Sequence, residues 1–183
     1  ENSLRLDLEN YTKIILQKKF KETKSPTNWI LNFDSDKDNT LEIIPYIIIT
    51  VDNIDSGKIY LFLKTRLLES KTVTWETKYI YYIPEILPMK GEKSWTDGEA
   101  KEFKSVIERG LSKTFDVMFN DSKGITAWKQ KSVELSGKFL GYDLKYKGEL
   151  LDESEETIIY NNGLYNIFQG INIIPKNEII FNK

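Results

Sequence analysis

The pattern of apolar residues predicts two helices. In residues 10–21, Tyr11, Ile14 and Ile15 recur at helical spacing and define one apolar face. A longer stripe with the same spacing runs through residues 97–120. We therefore expect two amphipathic helices that pack on a sheet.

The start of the second helix carries the clearest local signal in the chain. Thr96-Asp97-Gly98-Glu99 has the pattern of a capping box, with Thr96 as the N-cap and Glu99 three residues later. Gly110, inside this helix, costs about 1 kcal/mol relative to alanine. We therefore expect the helix to approach a strand or another helix closely at Gly110.

Alternating apolar residues predict strands between the two helices. Residues 58–69 alternate, and residues 72–83 are rich in threonine, tryptophan and tyrosine. Short turns join both to the segment before, which indicates an antiparallel meander. Residues 41–51 are apolar at both parities, which predicts a central strand covered on both faces. Pro45 cannot donate to a ladder, so we expect a bulge or an unpaired edge there. Two further strands and one loop are predicted at residues 3–8, 29–33 and 84–93.

Beyond residue 124 the predicted strands are short and glycines separate them. They span residues 132–140, 143–151, 155–160, 164–168 and 171–174. Asn162-Gly163 is a strong signal for a type I′ hairpin turn. Short strands with frequent glycine turns are typical of a small barrel or sandwich.

These elements predict an α+β protein. Its antiparallel sheet is packed by two helices and is followed by a β-rich C-terminal small barrel. The predicted division places a sheet-and-helix domain in residues 1–125 and the barrel in residues 126–183. The chain has 183 residues, of which 40% are hydrophobic and 30% charged, a composition typical of globular proteins.

Two absences limit the chemistry of this chain. It has no cysteine, which excludes disulfides, thiolate nucleophiles and cysteine-bound metals. It also has no histidine, which excludes the Ser-His and Cys-His dyads and imidazole metal sites. A formal charge of -2 argues against strong binding to nucleic acid. We expect a non-enzymatic protein without a cofactor. An enzyme of carboxylate chemistry is less favoured than either of two non-enzymatic functions, envelope binding and an RNA-binding or oligomerising barrel.

The best candidate for a metal site is an acidic segment before the first long strand. Asp34, Asp36 and Asp38 offer alternate carboxylates that could converge on Ca²⁺. An EF-hand loop needs glycine at its sixth position and glutamate at its twelfth, where this chain has Asn39 and Pro45. We therefore favour a polar hairpin turn and assign no metal ligand.

Other polar clusters favour structural interpretations. The acidic run at residues 152–156 is typical of a solvated loop, although paired carboxylates also serve glycosidases. The neighbours Ser112-Lys113 and Lys131-Ser132 do not face each other on a helix or strand, so no nucleophile is assigned. A basic patch at one helix end is interpreted as a solvated surface; it comprises Lys18, Lys19, Lys21 and Lys24.

One predicted strand is aromatic at both parities. Trp75, Tyr79 and Tyr81 share one face, and Ile80 and Tyr82 share the other. We favour a strand buried on both sides, because strands are rich in aromatic residues. The alternative is an exposed platform for a partner or a sugar.

Residues 41–121 resemble uncharacterised lipoproteins of Gram-negative bacteria. The resemblance is carried by Glu42-Ile43-Ile44-Pro45, Tyr79-Ile80-Tyr81-Tyr82 and Gly91-Glu92-Lys93-Ser94-Trp95, followed by the long helix. It implies export and a lipid anchor on a cysteine upstream of Glu1, in the periplasm or attached to the outer membrane. A removed secretory signal would also explain a chain that begins without methionine.

Residues 131–181 resemble an SH3-like or Sm-like small barrel. The resemblance lies in Gly148-Glu149-Leu150-Leu151, in Thr157-Ile158-Ile159-Tyr160 and in a final short turn within Ile173–Ile179. It implies RNA binding or oligomerisation, although the turns lack a clear pair of base-stacking and base-reading residues.

Two functions follow as expectations. The first is a non-enzymatic binding or scaffolding protein of the cell envelope, a processed lipoprotein that contacts a protein or an envelope component. The alternative is an intracellular protein whose Sm-like barrel binds RNA or mediates oligomerisation. Near-zero net charge makes nucleic acid the weaker partner.

Overall fold

The computed structural model describes residues 7–22, 39–53, 56–122, 131–139, 142–164 and 166–182. These ranges contain two α-helices, α1 (Leu8–Glu22) and α2 (Asp97–Asp121). They also contain eight strands: β1 (Asn39–Asn53), β2 (Ser56–Glu69), β3 (Thr72–Pro88), β4 (Lys131–Phe139), β5 (Tyr142–Glu153), β6 (Thr157–Asn162), β7 (Gly170–Pro175) and β8 (Ile179–Asn182). The α+β class and both helices are confirmed. The predicted strand at residues 29–33 and the predicted boundary after residue 125 lie outside these ranges.

The described strands form one sheet in the order β1-β2-β3-β7-β6-β5-β4-β8. β1, β2 and β3 form the predicted antiparallel meander. β3 and β7 are parallel, and every other neighbouring pair is antiparallel. The sheet is not closed, because β1 and β8 are its two ends.

One face of the sheet packs against both helices. The apolar stripe of α2 belongs to the core, as its spacing predicts. Each fully buried leucine, isoleucine or phenylalanine contributes about 1.5–3 kcal/mol to the free energy of folding. α1 adds Ile15 and Leu16, whereas Ile14, expected on the same face, is exposed. The buried side chains that build this first core on β2, β3 and α2 include Ile59, Leu61, Leu63, Tyr79, Tyr81, Ile83, Phe103, Ile107, Leu111 and Phe115.

The opposite face of β2 and β3 is covered by the C-terminal strands and the β6–β7 loop. This second core consists of Tyr60, Phe62, Ile80, Tyr82, Leu135, Ile158, Tyr160, Phe168 and Ile174. β3 is therefore buried at both parities, and the interpretation of residues 79–82 as core is confirmed. Trp75, nearer the hairpin turn, remains exposed.

In the sheet of the described strands β1 lies at one edge, so the prediction that residues 41–51 are central in that sheet is wrong. Leu41, Ile43 and Ile47 pack on the first core, and Tyr46 and Ile48 pack on the second. The apolar residues at both parities of β1 therefore indicate that both of its faces are covered. A central position in the sheet requires pairing at both edges, which this pattern does not indicate. Among the described strands β1 pairs only with β2, so the edge that carries Pro45 has no described partner.

The β6–β7 connection is longer than the sequence predicts. The expected strand at residues 164–168 is absent from the described sheet, and Asn162-Gly163 does not form a two-residue hairpin. Asn162 Oδ1 accepts a hydrogen bond from the backbone N–H of Leu164 at 3.1 Å. Asn166 Oδ1 accepts one from the N–H of Phe168 at 2.8 Å. These asparagine turns satisfy the backbone locally and compete with strand pairing.

Two details around α2 also differ from prediction. β3 occupies the first part of the loop expected at residues 84–93 and ends at Pro88, because a bulge between the Tyr60–Tyr82 and Lys58–Ile86 pairs accommodates Pro84. The first residues of the predicted strand at 3–8 are not described, and Leu8 begins α1.

Thr96 is the N-cap of α2, as predicted, but its side chain makes no capping hydrogen bond. Its hydroxyl lies 3.1 Å from that of Ser94, a partner in the preceding turn. Asp97 Oδ2 instead accepts the backbone N–H of Lys93 at 2.8 Å. Ser94 Oγ accepts the backbone N–H of Thr96 at 3.3 Å, a bond that the residue three positions after the N-cap accepts in a capping box.

Gly110 allows α2 to approach the sheet closely, as its position in the helix predicts. A Cβ atom at Gly110 would lie 3.0 Å from Tyr81 Cδ1 and 3.1 Å from Leu61 Cδ2. We expect Gly110→Leu to lower the free energy of unfolding by about 3 kcal/mol through overpacking, measured by urea denaturation. Glu108→Leu, at an exposed position of the same helix, should change it by less than about 0.5 kcal/mol. Equal stability of the two variants would contradict this packing.

Candidate functional site

The candidate site is the free edge of β1. This 15-residue strand pairs with β2 on one side and with no other described strand. Such an edge presents a row of backbone N–H and C=O groups that another chain can bind. Three apolar side chains are exposed along it: Ile44 at 39%, Ile49 at 41% and Val51 at 59%.

Pro45 identifies the backbone groups that point away from β2. Residues along an antiparallel ladder alternate between pairs that exchange hydrogen bonds and pairs that do not. Pro45 lies opposite Leu63 and has no N–H, so this pair is of the second kind. Ile47, Ile49 and Val51 share the parity of Pro45 and therefore direct their N–H and C=O groups outward.

Among the described residues, part of this edge has no charged side chain, proline or bulge that would oppose pairing. Natural edge strands are commonly blocked by charged side chains, proline or bulges. In β1, Pro45 blocks the N-terminal half, and a register shift follows Val51. Residues 46–51, which we call the edge window, lie between these two features and contain no charged residue.

A charged cluster lies beside the N-terminal half of β1. Arg66 Nε donates to Glu76 Oε2 at 2.6 Å, and Arg66 Nη1 lies 3.5 Å from Glu42 Oε2. The hydrogen bond from Arg66 lowers the pKa of Glu76, and the same bond raises the pKa of Arg66. These groups are solvent-exposed, so screening limits their effect on stability. Of these groups only Glu42 belongs to β1, and it lies outside the edge window, which contains no charged residue.

A second, more polar candidate is a groove of about 300 Å³ between α1 and α2. Lys19 Nζ donates to Asp116 Oδ2 at 2.7 Å, and Arg109 donates to Glu85. Two of its cations are therefore already paired, and acidic side chains also line it. Of the predicted basic patch, Lys18 and Lys19 line this groove, and Lys24 lies outside the described residues. The lining side chains are Ile15, Lys18, Lys19, Glu22, Ser105, Glu108, Arg109 and Ser112.

The remaining candidates from the sequence are placed as follows. Asp34, Asp36 and Asp38 lie outside the described ranges. The acidic run is exposed throughout. Asp152 and Glu153 end β5, where Glu153 pairs with Lys176 at 2.6 Å, and residues 154–156 form the β5–β6 turn, so the interpretation as a solvated loop is confirmed for residues 154–156. Within the described part of the chain, no three acidic residues are grouped so that they could hold a metal ion.

The serine and lysine neighbours considered for catalysis do not form a catalytic pair in the structure. Ser112 lines the helix groove, whereas Lys113 Nζ lies 4.0 Å from Glu156 Oε2. Lys131 and Ser132 begin β4 and are exposed.

Neither of the two described helices has the length and apolar character that a membrane span requires.

One ion pair that the sequence does not reveal joins the two parts of the sheet. Lys58 at the start of β2 donates to Glu178, which lies in the short 3₁₀ turn (Lys176–Glu178) between β7 and β8. Only 12% and 13% of their side chains are exposed. Burial raises the pKa of Glu178, and the neighbouring Lys58 opposes that rise only in part.

Removing one partner of this pair should be more harmful than removing both. We expect Lys58→Met to lower the free energy of unfolding by about 3 kcal/mol, because Glu178 stays buried without its cation. Lys58→Met combined with Glu178→Met should stay within about 1 kcal/mol of the unchanged protein. Urea denaturation measures both effects.

The loss in Lys58→Met should grow with pH. A carboxyl group whose pKa is raised by folding stabilises the folded state below its unfolded pKa and loses that contribution as the pH rises through its folded pKa. The stability of Lys58→Met relative to the double variant should therefore fall as the pH rises from about 4 through the raised pKa of Glu178 in the folded state. A constant difference over this interval would contradict the buried position of Glu178.

A buried polar network also escapes sequence reasoning. Tyr82 donates its hydroxyl to Asn172 Oδ1 at 3.0 Å. Asn172 Nδ2 and Asn162 Nδ2 donate to the Phe168 carbonyl at 3.0 and 3.1 Å. These bonds satisfy groups that burial would otherwise penalise. They fix the β6–β7 loop above the second core.

No family model, curated protein or solved structure matches this chain. The lipoprotein and small-barrel resemblances therefore stay predictions. The geometry of the free edge and of its neighbouring charges provides the basis for a functional proposal.

Proposed function

We propose that this chain is a non-enzymatic binding or scaffolding protein that acts through the free edge of β1. The observation that carries the proposal is the edge window, where outward backbone groups and exposed apolar side chains occur together. Addition of a strand to a sheet edge is a common mode of protein recognition. The main chain supplies hydrogen bonds, and alternate side chains supply selectivity.

The chemistry of the edge favours an uncharged, extended protein segment as partner. Ile49 and Val51 offer apolar contacts on one face of β1, and no charge lies between Glu42 and Asp52. A charged segment would lose hydration there without gaining an ion pair.

The proposed location is the cell envelope, with the chain as a processed lipoprotein. This part rests on the resemblance of residues 41–121, and Glu42–Pro45 of that resemblance belong to β1. The intact mass of the native protein from fractionated cells tests it. Added acyl mass in the membrane fraction is expected, and an unmodified chain that begins at methionine in the cytosol would contradict it.

We also propose that β4–β8 bend into a partly open, SH3-like small barrel. The support is the order β7-β6-β5-β4-β8, in which β8 follows a 3₁₀ turn and returns to pair with β4. The second core draws side chains from β4, β6 and β7 of this set. The RNA-binding alternative lacks comparable support, because the chain has a formal charge of -2.

In-cell photo-cross-linking tests the contact surface. A photoreactive residue replaces Val51 in one variant and Glu102, on the exposed side of α2, in a matched control. A protein adduct at position 51 that is absent at position 102 is the expected result. Equal or absent adducts at the two positions would contradict a function through the edge.

A further inference from the structure

We propose that the occupant of the edge window is a second copy of this chain. Two copies pair β1 against β1 in antiparallel orientation, around a two-fold axis at Ile49. This inference rests on the proposed function of the edge and names its partner. It follows from the backbone parity, the position of Pro45 and the distribution of charge along β1.

The outward backbone groups are self-complementary in this register. With the axis at Ile49, Ile47 of one copy lies opposite Val51 of the other, and Ile49 lies opposite its own copy. All three residues share the parity of Pro45, so their N–H and C=O groups point outward. Each facing pair then exchanges two main-chain hydrogen bonds.

Pro45 selects this register over its neighbour. With the axis at Ile49, Pro45 lies opposite Asn53, where the pairing of β1 with β2 is already irregular. An axis at Ile47 would place Pro45 opposite Ile49 inside the ladder. That arrangement loses one donor on each side of the axis, because proline has no N–H.

Charge and side chains also fit a second copy. No charged residue lies between Ile43 and Val51, so no like charges meet across the axis. The formal charge of -2 per chain adds little repulsion between two whole copies. Ile49 and Val51, which are 41% and 59% exposed, gain apolar neighbours from the other copy.

The geometry also closes the assembly at two copies. A two-fold interface uses the same surface on both chains, so pairing consumes both β1 edges. The other end of the described sheet is β8, a strand of 4 residues. Short edge strands are poor templates for further pairing.

Disulfide trapping tests the register directly. The chain has no cysteine of its own, so each introduced thiol is alone. In Ile49→Cys the two thiols face each other across the axis, with Cα atoms about 5.5 Å apart, a distance a disulfide can span. In Val51→Cys each thiol faces Ile47 and is too far from its symmetry mate. Mild oxidation of the full chain should therefore link Ile49→Cys and leave Val51→Cys unlinked, although Val51 is the more exposed.

Sedimentation equilibrium provides the second readout. The unchanged chain should reach twice its mass of 21.4 kDa. Ile49→Lys places like charges on the axis and should weaken self-association at least about tenfold. Val73→Lys, at a 47% exposed position on β3 away from the β1 edge, should leave it unchanged. Circular dichroism verifies that both variants remain folded.

The outcomes separate this inference from the proposed function. A monomeric chain at all concentrations, or equal linkage of Ile49→Cys and Val51→Cys, would overturn the pairing of two copies. If position 51 then still gives an adduct with another protein in cells, the edge function stands and only its partner changes. If neither experiment gives an adduct, both proposals fail.

Discussion

Phe168→Ala is expected to lower the free energy of unfolding by about 4 kcal/mol, the range typical of a buried phenylalanine. Phe168 lies in the β6–β7 loop, yet its side chain is buried in the second core. Its ring centroid lies 5.6 Å from those of Tyr60 and Tyr82 and 6.3 Å from that of Phe62. Truncation removes a ring that contacts both β2 and β3 and leaves a cavity between them and the loop.

Ile167→Ala is the matched control, because Ile167 is the preceding residue and is 44% exposed. Its backbone carbonyl still accepts Lys78 Nζ in the variant, as it does at 2.5 Å in the unchanged protein. The free energy of unfolding should change by about 0.5 kcal/mol or less. Urea denaturation distinguishes the two variants, and a Phe168→Ala loss as small as that of Ile167→Ala would show that the loop does not anchor the core.

Gly170→Ala is expected to lower the free energy of unfolding by about 3 kcal/mol or more. Gly170 begins β7 with φ at +115°, a backbone conformation that costs an L-residue about 1–3 kcal/mol. A Cβ atom there would also overlap the backbone carbonyl of Lys78 on β3. This contact adjoins the parallel β3–β7 pairing, which joins the meander to the C-terminal strands.

Gly163→Ala is the control from the other end of the same loop. No heavy atom lies within 4 Å of a Cβ atom at Gly163. The variant should therefore be unchanged or more stable by up to about 1 kcal/mol, because alanine restricts the unfolded chain. Denaturation curves that show equal losses for the two glycine variants would contradict the close β3–β7 junction.

Local structure was predictable because it depends on residues that are near in sequence. The apolar spacing of α2 and the alternation of β2 give both elements, and Gly110 indicates the close approach of α2 to the sheet. At Asn162-Gly163 the same local reasoning fails. The side chains of Asn162 and Asn166 bond the loop backbone, and the sequence does not distinguish this from a two-residue hairpin.

Beyond the predicted β1–β2–β3 meander, the order of strands depends on distant contacts and was not predictable. The apolar residues of β1 show that both faces are covered, but they do not show whether both edges are paired. The same limit applies to Lys58 and Glu178, which are 120 positions apart. The parallel pairing of β3 with β7 likewise has no signal in either segment alone.

The candidate site follows the same division. Pro45 predicted a bulge or an unpaired edge, and β1 has no partner on that side among the described strands. The significance of residues 46–51 depends on the position of β1 at one end of the described sheet, which the local sequence does not indicate. The acidic segment around Asp36, which the sequence favours as a metal candidate, lies outside the described residues.

Hydrogen exchange of the β1 amides, followed by NMR at increasing protein concentration, tests the central claim most directly. The N–H groups of Ile47, Ile49 and Val51 should exchange fast in dilute protein and slow down as the edge becomes paired. Those of Ile48 and Thr50, which point toward β2, should be protected throughout. Fast exchange of the first set at every concentration and in the presence of cell extract, or protection of both sets in dilute protein, would contradict a free edge that acts by pairing.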